Sequence, residues 1–490
     1  MSDPVIRIDT HGAVVFLAGP DVYKVKRAVR YDYMDFSTVA LREKACDAEI
    51  AVNQGNAANL YLGVLPISRD ANGALHLGEA GEVIEWAVHL KRFDEEATLD
   101  RLAVLGAITP KLIVALARTI ATAHDIAPIR DATRSIVSFQ DQIRQTLDEI
   151  ASGTDLFPSH KSAHLAIDVE RYLDALRPLL VIRGLTGQVR RCHGDLHLGN
   201  VVMAGGVPVL FDALEFNEDF ATVDVLYDLA FIVMDLCHHN LAAEANELLN
   251  EYLSLSADQR LQIDGLAALP LFLSVRAAIR AKITAASFRL DPATLIRREV
   301  ALAYFEAAAA FMAPAVPRLI SIGGLSGTGK TKLAAAVAPA LGRLPGAIHL
   351  RSDTVRKHMA GVAMTTRLSP DLYAPGQSAA VYRTLDQLAG RALKAGQVVI
   401  TDATYQNPAR RHDIARVAQA AGVAFKGLWL TAPLALRTDR IAAREGDASD
   451  ATAVIAAAQE EIDPGEMDWT QLDATLPFGA LVDNAQAMLN

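Results

Sequence analysis

Gly324-Leu325-Ser326-Gly327-Thr328-Gly329-Lys330-Thr331 decides how the second half of this chain folds. It fits the pattern G-x-x-x-x-G-K-[ST] and follows an apolar run, Leu319-Ile320-Ser321-Ile322, that reads as a buried parallel strand. Glycines let the backbone curl so that successive N–H groups converge on anionic oxygens. A helix predicted over 332–341 points its positive end at the same place. In this reading Gly324, Ser326, Gly327, Thr328 and Gly329 form the cradle, Lys330 reaches the β- and γ-phosphates of a nucleotide, and Thr331 ligates Mg²⁺.

Downstream, apolar runs at 347–350, 397–400 and 425–430 alternate with helical patterns, which predicts an α/β P-loop NTPase fold: a parallel sheet flanked by helices. Ligands of such sheets gather at the carboxyl ends of the strands. Asp353, in Arg351-Ser352-Asp353, and Asp402, in Thr401-Asp402-Ala403-Thr404, each follow a strand and are expected to face the loop, with Asp402 beside Thr331 at the metal. Arg437, Arg440 and Arg444 fall on one helical face, either as a basic surface stripe or as arginines of a mobile lid that closes on the transferring phosphoryl group. Asp447 and Asp450 sit where such a lid would turn.

Upstream, Ala313-Pro314-Ala315-Val316-Pro317 breaks a helical pattern and reads as a linker, dividing the chain into 1–312 and 318–490. The first part opens with alternating, strand-like runs. Period two puts Lys24 and Lys26 on one strand face. A helical stretch at 38–53 carries Glu43 and Glu49. Further strands are expected at 61–67 and 82–93, and from 110 the period turns helical. The prediction is an α+β, two-lobed domain with a small lobe over about 1–90 and a helical lobe over about 91–312.

Within the helical lobe lies Cys192-His193-Gly194-Asp195-Leu196-His197-Leu198-Gly199-Asn200, followed by a strand at 207–211 and by Asp212. Transfer of a phosphoryl group to a hydroxyl needs an aspartate to orient and deprotonate that hydroxyl, an asparagine for Mg²⁺, and a second aspartate for the bridging Mg²⁺. Asp195, Asn200 and Asp212 stand in that order. Asp224 and Asp228, near the start of the next helical region, read as caps or dipole partners.

The stretch from His193 to Asn200, with Asp212, resembles the aminoglycoside phosphotransferase group, a two-lobed relative of the protein kinases, over about residues 5–310. The resemblance implies Asp195 as catalytic base, Asn200 and Asp212 as metal ligands, His193 on the substrate side, and Lys24 or Lys26 paired with Glu49 over the phosphates. Lys26 fits the register slightly better. No G-x-G-x-x-G joins the first strands; only Gly19 precedes Pro20. Residues 318–470 resemble the small P-loop kinases that include zeta toxins, chloramphenicol phosphotransferase and polynucleotide kinases. That likeness implies Asp353 as base, Arg356 as a substrate contact, and one or more of Arg437, Arg440 and Arg444 as lid arginines. The whole chain resembles fusions of these two kinds of kinase, which implies ATP and Mg²⁺ as cofactors and small-molecule hydroxyl acceptors.

Charge bounds the partners. Residues 311–490 carry 18 Lys+Arg against 16 Asp+Glu, whereas the first 310 carry 29 against 41. Neither balance suits non-specific nucleic-acid binding. The apolar run at 225–236 contains Asp228 and Asp235, so no membrane span is expected. Three separated cysteines, Cys46, Cys192 and Cys237, lack metal-ligand spacing and suggest a reducing, cytoplasmic setting.

Overall fold

The computed structural model describes residues 4–31, 34–443 and 448–489. Two compact units emerge, one formed by Met1–Ser162 with Arg177–Asp235 and the other by Ala163–Leu176 with Leu236–Asn490.

The first unit is built on an antiparallel sheet of six strands in the order Ile6–Asp9, Ala13–Ala18, Asp21–Lys26, Glu82–Lys91, Tyr61–Arg69, Leu75–Leu77. Helix Val39–Ala57 packs on it, capped by Thr38, whose hydroxyl accepts from the Leu41 N–H. The helix buries Cys46, Glu49, Asn53 and Ala57, a single face at helical spacing. Cys46 and Ala57 join Leu60, Tyr61, Val88, Leu90 and Val202 in one apolar cluster. Glu49 is therefore a fully buried carboxylate on an apolar face, and such a group must be paired.

A second device in this unit brings distant residues together. Strands Val201–Ala204 and Val207–Leu210 form a hairpin whose turn, Gly205-Gly206, has φ of 62° and 82°, a conformation that suits glycine. Val201 pairs with Leu210, and the Phe211 N–H donates to the Asn200 carbonyl at 3.0 Å. Asn200 at the start and Asp212 just past the end are thereby brought to one end of the hairpin.

The second unit holds a parallel sheet of five strands in the order Ile348–Arg351, Val399–Asp402, Arg318–Gly324, Ala424–Thr431, Thr470–Asp473. Its central strand is covered on both faces, which is why Leu319, Ile320 and Ile322 read as a continuous apolar run. The helix after the glycine-rich loop runs Lys330–Val337 and tightens into a 3₁₀ turn at Ala338–Ala340. Pro339 lacks the N–H that a longer α-helix would use.

Helix Ala242–Leu255 also packs in this second unit. The Asn250 side-chain oxygen accepts from the His349 N–H at 2.8 Å, and the amides of Asn246 and Asn250 donate to the Ala347 carbonyl at 3.0 and 3.2 Å. Side-chain amides thus complete the free edge of the sheet, which would otherwise expose unpaired backbone groups. Gln397, just before the second strand of this order, donates to the Leu266 carbonyl at 3.0 Å. Among the described residues no helix is long and apolar enough to cross a membrane.

Candidate active sites

In the first unit the strand lysines, the buried glutamate and the post-hairpin acid form an alternating chain of charge. Lys24 Nζ lies 2.9 Å from Glu49 Oε1 and 2.7 Å from Asp212 Oδ1. Lys26 Nζ lies 2.5 Å from Glu49 Oε2 and also pairs with Glu215. The two lysines are not equivalent. Lys24 touches Asp212 and keeps 19% of its side chain exposed, whereas Lys26 keeps 2% and faces inward. The sequence left the choice between the two lysines open; in the structure Lys24 is the one that meets Asp212, while Lys26 pairs inward with Glu49 and Glu215. Burial alone would lower the Lys24 pKa, but Asp212, Glu49 and Glu215 outweigh it and raise it well above the ordinary lysine value. Burial likewise pushes Asp212 upward, yet the Lys24 charge wins and holds it below the usual carboxylate value.

Asp212 adopts φ of 58°, a left-handed conformation uncommon outside glycine. Its N–H donates to the Tyr61 hydroxyl at 3.1 Å, and the next N–H, of Ala213, donates to Asn53 Oδ1 at 2.8 Å. The strained turn is thus held by residues of the sheet and of the Val39–Ala57 helix.

Asn200 Nδ2 donates to the Asp195 carbonyl at 2.9 Å and to Asp195 Oδ2 at 3.2 Å. This leaves the Asn200 oxygen turned away from Asp195. His193, expected on the substrate side, is buried, and its Nε2 meets the Phe211 carbonyl at 2.9 Å while Nδ1 accepts from the Asp195 N–H at 3.4 Å. A carbonyl partner requires Nε2 to carry the proton. Burial lowers the His193 pKa, so the ring is a neutral strut between the Asp195 loop and the strand leading to Asp212 rather than a substrate contact.

Asp228 also departs from its expected role as a cap. It is fully buried and accepts from the N–H groups of His193 and Gly194 at 3.3 and 2.8 Å and from His124 Nε2 at 3.2 Å. Seven residues on, Asp235 accepts from the Leu198 N–H at 3.0 Å. One helix, Val225–His238, therefore holds the loop carrying Asp195 through two acids on one face. Two acids spaced by seven on an otherwise apolar helix were the signal available in the sequence.

In the second unit the loop after the central strand has the expected form. Gly329, with φ of 96°, caps the helix that begins at Lys330. At Gly327, with φ of 87°, a Cβ would lie 2.5 Å from the Arg437 carbonyl, and at Gly324 it would lie 2.6 Å from the Leu430 carbonyl. Lys330 Nζ donates to the Leu325 carbonyl at 3.2 Å, as does the Thr328 hydroxyl at 2.9 Å. Thr331 Oγ1 donates to Asp402 Oδ2 at 2.5 Å.

The two strand-end acids are driven apart electrostatically. Burial pushes Asp353 up, only partly countered by Arg351, a hydrogen bond with Ser449, and Lys330. Burial acts on Asp402 in the same sense, but His349, 3.5 Å away, together with Lys330 and Arg351 holds it at about 2. Paired carboxylates whose environments separate them divide proton-accepting and permanently charged roles. His349 was not singled out from the sequence; it stands on the strand that pairs with the Asp402 strand, a neighbour that no local signal reports.

The arginines require correction. Arg437 is fully buried; it donates to the Ser326 carbonyl at 3.1 Å and the Ala456 carbonyl at 3.4 Å, and pairs with Glu460. Arg440 donates to the carbonyls of Thr328 at 3.2 Å and Ala474 at 2.8 Å. A loop that turns its N–H groups inward turns carbonyls outward, and those carbonyls need donors. Arg437 and Arg440 supply them from helix Leu434–Ala442, so they brace the loop and do not belong to a lid. Arg444 and Asp447 lie outside the described residues. Asp450 accepts from Lys357 at 2.8 Å, the Leu368 N–H at 3.0 Å and the Tyr373 hydroxyl at 2.8 Å. Arg356, one turn after Asp353 and expected to contact substrate, is buried over the Tyr373 ring at 4.4 Å and donates to the Leu372 carbonyl at 2.5 Å. It shapes the wall near Asp353 instead.

Comparison with known proteins gives a match in each half of the chain. Residues 59–265 match the profile of the Phosphotransferase enzyme family (APH), and residues 319–463 match that of an AAA domain. An uncharacterized protein of Mycobacterium tuberculosis is 28% identical over 471 residues, covering 93% of this chain and 90% of its own. Among solved structures, a choline/ethanolamine kinase family protein from Mesorhizobium loti is 15% identical, covers 63% of this chain and 88% of its own, and has a TM-score of 0.38. A gluconokinase from Sinorhizobium meliloti is 20% identical, covers 35% of this chain and 90% of its own, and has a TM-score of 0.26. The chain thus joins an aminoglycoside phosphotransferase-like kinase region to a P-loop kinase-like region in one polypeptide.

Proposed function

We propose that the protein is a cytoplasmic tandem kinase with two Mg²⁺-ATP sites, one in the 1–312 half and one in the 318–490 half. Each passes the γ-phosphoryl group of ATP to a hydroxyl of a small polar metabolite such as a sugar, amino sugar or aminocyclitol. The observation that carries the proposal is the presence of two separate constellations, Lys24/Glu49/Asp195/Asn200/Asp212 and Lys330/Thr331/Asp353/Asp402, each pairing a candidate base with hard oxygen donors.

In the first site Lys24 lies over the phosphates, fixed by Glu49, and Asp195 accepts the proton of the acceptor hydroxyl as its oxygen bonds to the γ-phosphorus. The bond to the bridging oxygen breaks and ADP leaves. In the second site Lys330 and the loop N–H groups hold the phosphates and Asp353 takes the hydroxyl proton. Oxygen donors suit Mg²⁺: Asn200 and Asp212 in the first site, Thr331 and Asp402 in the second. When bound, the ion offsets phosphate charge in the transition state.

The test is transfer from labelled ATP to a panel of sugars, amino sugars, aminoglycosides and nucleosides, using wild type, Asp195→Asn and Asp353→Asn. Loss of different acceptors in the two variants supports the tandem reading. Loss of every activity with Asp353→Asn and none with Asp195→Asn would make the first site a nucleotide-binding regulatory module. That second reading is favoured by the tight Gly19-Pro20 turn, where a kinase glycine loop would stand.

A further inference from the structure

One side chain outside the P-loop motif is built into the phosphate cradle. The peptide group between Leu325 and Ser326 is held at both ends. Its carbonyl accepts from Lys330 Nζ at 3.2 Å, and its N–H donates to Gln459 Oε1 at 2.8 Å. Gln459 belongs to helix Ala453–Glu460, far from the loop in sequence.

Several contacts fix that helix end. Gln406 Nε2 donates to the Gln459 carbonyl at 2.6 Å and to the Ile462 carbonyl at 2.9 Å. Arg437 bridges the Ser326 carbonyl to the Ala456 carbonyl and to Glu460, the residue after Gln459. Ser326, Gln459, Glu460 and Arg437 therefore close a ring of contacts with the loop as one side. A side chain held this way needs no reorganisation on nucleotide binding.

The amide can point only one way. The Ser326 N–H is a donor, so the oxygen of Gln459 must face it and the NH₂ must face away. Among the described residues that NH₂ has no hydrogen-bond partner, and Gln459 is partly exposed. Gln459 stands on the N–H edge of a loop whose N–H groups converge on phosphate in this pattern, while Lys330, which reaches the β- and γ-phosphates in such loops, holds the opposite, carbonyl edge of the same peptide group.

We propose that Gln459 is a phosphate-facing residue of the P-loop site: its oxygen holds the Ser326 N–H, and its NH₂ donates to the γ-phosphate of the bound nucleoside triphosphate. The inference rests on the kinase reading of that site. It makes Gln459 a determinant of triphosphate over diphosphate binding.

The experiment measures ATP and ADP affinities of the full chain by calorimetry, counting only binding that Lys330→Ala removes. In Gln459→Glu a carboxylate oxygen still accepts from the Ser326 N–H, but a negative charge replaces the NH₂. ATP should bind at least about tenfold more weakly, while ADP affinity stays within about twofold, because like charges a few ångströms apart repel strongly even at an effective dielectric of ~20. Gln459→Ala should weaken ATP by less and leave the melting temperature close to wild type. An unchanged ATP-to-ADP ratio in Gln459→Glu, with Lys330-dependent binding intact, overturns the assignment and leaves the kinase reading standing. Absence of Lys330-dependent binding in the wild type overturns both.

Discussion

The two candidate sites are built by opposite means. In the first, side chains do it: Asp212, Lys24, Glu49, Lys26 and Glu215 form a line of alternating charge, four of whose members are largely buried. In the second, backbone does it: a glycine loop turns its N–H groups inward, and Arg437 and Arg440 satisfy the carbonyls turned out. The difference teaches where each site is fragile. Removing one charge from a buried alternating chain leaves its neighbour uncompensated, whereas a backbone cradle fails mainly when the groups behind it are lost.

Substitutions can break this contrast. The largest effect is expected for Lys24→Met, which should lower transfer at the first site by about 10³-fold and leave the second unchanged. Lys26→Met should act mainly on stability, costing about 3 kcal/mol in urea denaturation, since Glu49 and Glu215 stay buried without it. If the two variants lose activity equally at equal stability, the distinction between the lysines fails. Asp228→Asn should reduce the first activity by about 10²-fold, because the new amide cannot accept from the His193 and Gly194 N–H groups while serving His124 as well. The second activity is the internal control.

At the second site, Arg437→Met should cost about 2 kcal/mol through lost contacts to the Ser326 and Ala456 carbonyls, with Glu460 left partly solvated. A fall in kcat at unchanged stability would return Arg437 to the role of a transition-state arginine. The mildest effect is in pH. Asp353 must be ionised to take a proton, and burial raises its pKa, so the second activity should decline as pH falls through a value above the ordinary 3.8. Asp402, at about 2, keeps its charge throughout that window. An acidic limb at or below 3.8 would remove Asp353 as the base.

Much of this was legible because the relevant signals are local. The strand, glycine loop and helix around Lys330 are contiguous, and Asn200 and Asp212 bracket a hairpin whose Gly205-Gly206 turn is written in the sequence. Asp228 and His349 were hidden because their partners are backbone N–H groups or acids on other elements. The lysine choice was hidden because strand period puts Lys24 and Lys26 on one face and says nothing about which meets Asp212. Helical spacing puts Arg437 and Arg440 on one face, as found, yet it reports only a shared direction. Whether solvent or a row of carbonyls lies that way decides between a lid and a brace, and spacing is silent on it. Packing of the Ala242–Leu255 helix with the parallel sheet had no sequence signal, since Asn246 and Asn250 look like ordinary polar helix positions.

Nucleotide stoichiometry tests the central claim most directly. Calorimetric titration of the full chain with a non-hydrolysable ATP analogue and Mg²⁺ should give two sites per chain in the wild type, one in Lys330→Ala, one in Lys24→Met and none in the double variant. A single site in the wild type, unchanged by Lys330→Ala, would contradict two working phosphate-binding devices in this chain.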